Sequence, residues 1–397
     1  MPWIANHWLF VTFVNLTILF SELVLIISSR NIKIDKSKLF GTFAPPVRLE
    51  LVLLYLMTFF HKLNLDWLDP HVSRGTEMYL LMTNGLGFFQ SPVFSHYAAI
   101  YGTLTTELMI PLFFIIKRLR LAGIMAALIF HYVLGADEFY NFSAATFALL
   151  FLFTPDDFHD CIHKWWNPSR IAGTYRRVAA ERSFKKAKIT VLAIIGATAA
   201  AIFIYSQLTA ELYGHFIEIR EPGSIGKTRL YYAFLGLWWL YGLSIITLLL
   251  FTIKKGKAPS NERPYFIPKY KILMIYPLLV IINGLSPYLG LKTQTSWSMF
   301  SNLRTENGSS NHLIIRHPYY LADYQNDLVK IVHSSDPHLN AFREKGYLIP
   351  YFELHCYLSR KADNNVELDF VRNGSFESIS TPADYPEPFT PVSFLSR

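Results

Sequence analysis

The sequence predicts an all-α polytopic membrane bundle of about eight transmembrane helices, followed by a small C-terminal extracytoplasmic β-rich (α+β) domain. Three observations carry this expectation. Of the 397 residues, 52% are hydrophobic and only 17% charged, against about 25% charged in a soluble protein, and the mean hydropathy is +0.25. Uninterrupted apolar stretches of about 20 residues, the length that crosses a bilayer, recur up to residue 291. From Lys292 onward the chain turns polar with alternating apolar positions, as strands do. The same numbers argue against a water-soluble globule and exclude disorder, collagen and coiled coil.

Apolar runs bounded by charge or turn residues place helices at 8–28, 47–62, 97–116, 121–134, 139–153, 189–207, 230–253 and 272–291. Met1 to His7 lacks the positive charge of a signal peptide and the following run is long enough to span, so the first helix is expected to be retained. The pair 121–134 and 139–153 is short for a hydrocarbon core of about 30 Å, which predicts that both borrow flanking residues or form a tight hairpin around Gly135. Met78–Phe89 is apolar but short and contains Asn84-Gly85, so it reads as interfacial or re-entrant. The Ala-rich 197–201 stretch suits a close helix-packing face. Past the last helix, His312–Arg316, Asp327–Val332 and Asn365–Phe370 read as strands, with Asn-Gly turns at 307–308 and 373–374. The expected domains are 1–291 and 292–397.

Charge sets the sidedness. The connections 30–48, 117–120, 154–188 and 254–271 hold 22 of the 37 Lys and Arg, and the alternate connections hold 5. The positive-inside rule puts the richer loops in the cytoplasm and both termini outside it, as in an integral multi-pass protein of a bacterial cell membrane. The net charge of +8 is therefore a topology signal and a contact with anionic membrane lipid, and no nucleic-acid partner is expected. Cys161 and Cys356 are too few and too far apart to build a disulfide framework. Asn307-Gly308-Ser309 and Asn373-Gly374-Ser375 would be glycosylation acceptors only in a eukaryotic lumen.

Ionisable side chains inside a span are costly and mark function by default. Here they are Glu22, Glu50, Lys62, Glu107 and His131, with His61 at the margin. The topology puts His61, Lys62 and His131 near the outer boundary and Glu107 about 15 Å below it at 1.5 Å per residue. A base, an acid and an imidazole can thus converge in the outer half of the bundle. A lysine there either snorkels to the headgroups beside Trp67 or, if desolvated, becomes a base useful near neutral pH. Glu107 and His131 each have a structural alternative, as a helix–helix pair and a satisfied core histidine, and Glu22 and Glu50 read as structural or pathway residues. His159 and His163 have metal-ligand spacing, but beside Trp165-Trp166 they suit an interfacial amphipathic helix, and no metal is expected. Gly223–Thr228 lacks the spacing of a phosphate loop.

The stretch Leu53–Trp67, ending Lys62-Leu63-Asn64-Leu65-Asp66-Trp67, resembles the hallmark of the vitamin K-dependent γ-carboxylase superfamily, which includes the horizontally transferred transmembrane (HTTM) proteins. Glu107, then Phe130-His131, then Phe142-Ser143 are similar to that family's acid, Phe-His and Phe-Ser sequence in the same order. Ser296-Trp297-Ser298-Met299, followed by Asn311-His312-Leu313, resembles the segment that opens its luminal β domain. The resemblance implies that Lys62 is a general base on reduced vitamin K or menaquinol. Oxygenation by O2 then makes a stronger base that removes a glutamate γ-proton, CO2 is captured, and the quinone leaves as its epoxide. Glu107 and His131 would be partners in the quinol pocket, and Asn64, Asp66, Trp67 and Trp297 would line the substrate and quinol site. A protein or peptide substrate would arrive from the extracytoplasmic side. The chain departs from the carboxylases in having one helix before the lysine span rather than several, and a much smaller outer domain.

Two functional expectations follow. The first is a membrane enzyme, a carboxylase or lyase, that uses Lys62 on a quinol or peptide. The second is a non-enzymatic HTTM accessory protein that presents an outer partner-binding domain, for example in secreted-peptide maturation. A transporter is disfavoured because matching broken helices in two halves are not evident.

Overall fold

The computed structural model describes residues 6–82, 91–135, 140–154, 236–247, 265–293, 295–322, 325–344, 346–361 and 366–380. Among these the chain is mostly helical, with four helices long and apolar enough to cross a membrane and a small antiparallel four-stranded sheet. It divides into two compact units, one of Met1–Leu9, Leu56–Leu104 and Leu278–Arg397, the other of Phe10–Tyr55 and Thr105–Pro277.

Helix α1 (Asn6–Ser29) buries Phe10, Val14, Thr17, Ser21 and Leu25, spaced three and four apart on one face. Its other residues include exposed Leu19 and Ile27, a face that suits lipid rather than water. Helix α2 (Lys36–His61) begins eleven residues before the expected span and passes through Pro45 and Pro46. Asp35 starts it, with Oδ1 accepting from the Ser37 N–H at 3.1 Å. The prolines are tolerated because they remove only two donors from a helix packed at Ala44, Val47 and Arg48.

Short helix α3 (Leu65–Leu68) follows, then α4 (Arg74–Met82), which includes the start of the segment read as interfacial or re-entrant; the rest of it, with Asn84-Gly85, lies outside the described residues. The third span, Ser95–Ile115, is α5 (Pro92–Tyr97), a π-helical turn at Ala98–Gly102, and α6 (Thr103–Ile115).

Helices α7 (Arg120–Leu134) and α8 (Tyr140–Leu150) are 15 and 11 residues long, too short to span alone at 1.5 Å per residue. Gly135 ends α7 with φ −66°, so no turn geometry demands glycine there. Its need is space, because a Cβ at Gly135 would lie 2.2 Å from Trp238 Cζ2, on helix α9 (Gly236–Thr247). The fourth span, Lys271–Leu289, contains α10 (Ile275–Leu285). Of the remaining expected helices, 189–207 and both ends of 230–253 lie outside the described residues, as do 197–201, His159, His163 and Gly223–Thr228.

The sheet runs β2-β1-β3-β4, all antiparallel, from β1 (Leu328–Ser334), β2 (Leu348–Pro350), β3 (Leu368–Arg372) and β4 (Ser375–Ile379). Helices α11 (Pro337–Glu344) and α12 (Tyr351–Ser359) connect β1 to β2 and precede β3. Val329, Ile331, Leu368 and Phe370 point inward in alternation and pack with Leu339, Leu354 and Leu358. Asn373 and Gly374, at φ 51° and 82°, join β3 to β4 in the mirror-type turn their sequence predicts.

Asp336 caps α11, its Oδ1 accepting from the His338 and Leu339 N–H groups at 2.8 and 3.2 Å and from the Tyr357 hydroxyl at 3.0 Å, while Lys361 bonds Oδ2. Residues His312–Arg316 are not a strand. They form only an isolated antiparallel bridge from His312 to Asn64, because their backbone is committed to the turn after α2.

Candidate functional site

The first unit holds Lys62, Asn64, Asp66, Trp67 and Trp297. Helix α2 closes with the Lys62 and Leu63 N–H groups donating to Phe59 O and Phe60 O at 3.1 and 3.0 Å. The chain then extends through Asn64, at φ −138° and ψ 161°, which caps α3. All four hydrogen-bonding positions of the Asn64 amide are filled. Oδ1 accepts from the Trp67 N–H at 2.8 Å and from Asn311 Nδ2 at 3.4 Å, and Nδ2 donates to His61 O at 2.8 Å and Ser301 O at 2.6 Å. The amide orientation is fixed by these partners, since a backbone N–H only donates and a carbonyl only accepts.

The segment from Trp297 to Leu313 is bound to this turn along its length. The Leu65 N–H donates to Asn311 O at 3.0 Å and the Leu313 N–H to Leu63 O at 2.8 Å. His312 is locked between three backbone groups: Nδ1 accepts from the Ile314 and Ile315 N–H groups at 3.2 and 3.1 Å, and Nε2 lies 2.9 Å from Phe60 O. A nitrogen that accepts two N–H bonds carries no proton, so His312 is the neutral Nε2–H tautomer and donates to Phe60. Burial lowers its pKa, with the Phe60 carbonyl acting against that shift. Asn302 adds a further tie, accepting from the Arg74 N–H at 2.8 Å and donating to Val72 O at 3.0 Å. Asp66 faces outward to Arg304 at 2.6 Å, an exposed pair of small energetic weight.

Within this frame Lys62 is 4% exposed, with Nζ 5.3 Å from the centroid of the Trp67 ring. Trp67 is 2% exposed and packs with Ile100, Leu104, Phe59 and Leu63. Gly75 lies so close that a Cβ would come 2.5 Å from Trp67 Cη2. Trp67 Nε1, Ser73 Oγ and Thr76 Oγ1 are buried donors without a hydrogen-bond partner among the described residues. A molecule with acceptor oxygens would satisfy groups of this kind.

Trp297 is 1% exposed and held at φ 66°. Its N–H donates to Asn6 Oδ1 at 2.9 Å and its Nε1–H to Val280 O at 2.8 Å. Thr295, Phe300 and Asn302 also have positive φ, so four non-glycine residues within eight positions sit in the left-handed region. For Thr, Trp and Phe this conformation is strained and persists only where surrounding contacts impose it. Gly284 makes room, since a Cβ there would lie 2.7 Å from Met57 Sδ and 3.2 Å from Trp297 Cδ1. His61, fully buried, bonds Gly284 O through Nε2 at 2.8 Å.

The second unit holds Glu107 and His131. His131 is 1% exposed, with Nε2 2.6 Å from the Tyr55 hydroxyl. Its ring meets Tyr55 and Phe142 edge-on, at centroid distances of 5.9 and 5.2 Å. The Phe-His and Phe-Ser elements are therefore in contact. Glu107 is 7% exposed and acts electrostatically on Tyr55, and Ser143 is fully buried. In the same unit Glu50 is fully buried with Oε1 2.6 Å from Thr17 Oγ1.

Sequence reasoning did not single out Tyr55, Gly284, Ser301 or Asn302, and quoted Asn311 and His312 without assigning them a role. Comparison with protein-family models, with curated proteins and with solved structures finds no match for the chain.

Proposed function

We propose that the chain is a multi-pass membrane enzyme in which Lys62 is the general base on a reduced quinol, vitamin K or menaquinol, coupled through O2 and CO2 to modification, such as carboxylation, of a protein or peptide substrate on the extracytoplasmic side. The observation that carries this reading is the burial of Lys62 by protein alone. An interfacial anchor extends its ammonium to water and headgroups, whereas Lys62 is 4% exposed beneath a turn stapled by Asn64 and His312. A base needs such fixed placement, because its contribution depends on geometry before it depends on basicity. Trp67 gives the surroundings an apolar character suited to a quinol ring, and the buried donors beside it suit the ring's oxygens. A dry site of this type protects a strongly basic intermediate from water. Within the second unit, His131 beside the Tyr55 hydroxyl is a further buried acid–base group.

The test is quinol-dependent oxygen uptake by protein reconstituted in lipid. Wild type consumes oxygen, Lys62→Ala does not while eluting and melting as wild type, and equal uptake by the two refutes the role.

A second reading, an accessory protein that binds a partner through its outer domain, draws on the open face of the sheet. The register aligns Leu348, Lys330, Val371 and Phe376 in one row across four strands, with Leu348 52% and Phe376 63% exposed. On that reading Lys62→Ala is silent and paired Leu348→Ser and Phe376→Ser substitutions abolish function.

A further inference from the structure

Glu50 has no part in the reaction proposed for Lys62 and belongs to the second unit rather than the first. Its side chain is fully buried between α2 and α1, with Oε1 2.6 Å from Thr17 Oγ1. Thr17 stands eleven residues from Asn6 and twelve from Ser29, the two ends of α1, or about 17 Å from each at 1.5 Å per residue. The carboxyl therefore lies beside the midpoint of a helix long and apolar enough to cross a membrane, where an ionised side chain is costly.

The hydrogen count decides the state of this carboxyl. The Thr17 hydroxyl has one hydrogen and two oxygens within reach, Phe13 O at 3.0 Å and Glu50 Oε1 at 2.6 Å. Opposite a carboxylate it can serve only one of them fully, and the other contact pairs two acceptors. Opposite a carboxylic acid both contacts are bonds: the Glu50 O–H donates to Thr17 Oγ1, and the Thr17 hydroxyl donates to Phe13 O. Among the described residues Glu50 has no Lys, Arg or His partner, and its Oε2 is buried with no donor, which a charged oxygen tolerates worst. Arg48 is two residues away on α2, a spacing at which helical side chains do not face each other, and donates to Leu152 O and Tyr265 O. The polar groups facing the carboxyl from the helices packed on it are uncharged. Ser21, one turn along α1, donates to Thr17 O at 2.7 Å, and Tyr276 of α10 is the group on which Glu50 acts electrostatically.

We propose that Glu50 is a proton-binding site in the interior of the membrane, occupied at neutral pH, with Thr17 as the fixed acceptor of the bound proton. On release the O–H electron pair stays on the carboxylate, the proton passes to water, and Thr17 turns its own hydrogen from Phe13 O to Glu50. Occupancy is thereby coupled to the contact between α1 and α2. The site is independent of Lys62, and its test needs no turnover.

Infrared spectroscopy of the full chain in lipid reads the site directly, because the C=O stretch of a carboxylic acid is separate from the carboxylate and amide bands. An ordinary glutamate, with a pKa near 4.3, is protonated in only about one molecule in 500 at pH 7, so exposed carboxyls contribute nothing there. The expected result is a carboxylic acid band in wild type at pH 7 that is lost in Glu50→Gln, moved to higher frequency in Thr17→Val and kept in place in Thr17→Ser. It should fade reversibly as the pH is raised. Wild type without such a band at pH 7 overturns the proposal without recourse to any variant. A band of equal size in Glu50→Gln assigns the proton to another group, an unmoved band in Thr17→Val removes Thr17 as its acceptor, and a band unchanged at the alkaline limit of the folded protein makes the acid permanently neutral; each of these also overturns it.

Discussion

Replacing Asn64 separates a capping residue from a clamp. As a cap alone, Asn64 would tolerate aspartate, since Asn and Asp are about equal at that position. In this structure the carboxamide nitrogen also serves the carbonyls of His61 and Ser301, and Ser301 is 1% exposed. Asn64→Ala removes a cap worth about 1 kcal/mol and leaves two enclosed carbonyls without donors at about 1 kcal/mol each, about 3 kcal/mol in all. Asn64→Asp keeps the acceptor for the Trp67 N–H but turns a second oxygen toward those carbonyls, so it should destabilise at least as much as alanine. The assay is thermal unfolding in detergent followed by tryptophan fluorescence. At ~2 °C per kcal/mol, both variants should melt ~6 °C below wild type and expose Trp67 to quenchers. An Asn64→Asp protein that melts with wild type would refute the clamp.

Three further outcomes follow from neighbouring contacts. Gly284→Ala drives a methyl against Met57 and Trp297 and should cost ~1–3 kcal/mol by overpacking, read as a lower melting temperature with a shift in Trp297 emission. Tyr55→Phe leaves His131 Nε2 buried without its 2.6 Å partner at ~1–3 kcal/mol, and Tyr55→Phe should lower turnover more than Phe130→Leu does. Asp336 is nearly enclosed; burial would raise its pKa, but the bonds from Lys361, Tyr357 and two backbone N–H groups outweigh that and lower it, while Lys361 is pushed up to about 12. A depressed carboxylate stabilises the fold above its unfolded value near 4 and loses that contribution as pH falls through the lower folded value. Asp336→Asn should therefore be less stable than wild type at pH 7 and converge with it in strong acid, as measured by denaturant unfolding across pH.

Much of the fold was legible because it rests on local pattern. The spans at α1, α2, Ser95–Ile115 and Lys271–Leu289 follow from apolar length, and the β3–β4 hairpin follows from Asn373-Gly374. The second Asn-Gly pair shows the limit of that reasoning. Asn307 and Gly308 also have positive φ, 59° and 76°, yet no ladder follows among the described residues, because the Gly308 N–H is taken by Tyr320 and Asn326 and the Arg304 N–H by Asn311. The apolar run predicts a span starting at 47, whereas α2 starts at Lys36 and holds Pro45 and Pro46 inside it.

At the site, Lys62, Asn64 and Trp67 stand out as a motif, but the work of Asn64 depends on Ser301, 237 positions away. Tyr55 lies on α2, seven residues before Lys62, and an aromatic in an apolar span gives no hint of a histidine partner from another helix. The left-handed Thr295, Trp297 and Phe300 are invisible to sequence because their conformation is imposed by tertiary contacts rather than by glycine.

The central claim is that Lys62 is the base, and its most direct test is mass-spectrometric detection of quinone epoxide from reduced vitamin K or menaquinol, in air and in lipid, comparing wild type with Lys62→Ala and Lys62→Arg. The account predicts epoxide from wild type and none from either variant, with all three proteins melting alike. Epoxide formed equally by Lys62→Ala, or none formed by folded wild type from either quinol, would contradict it.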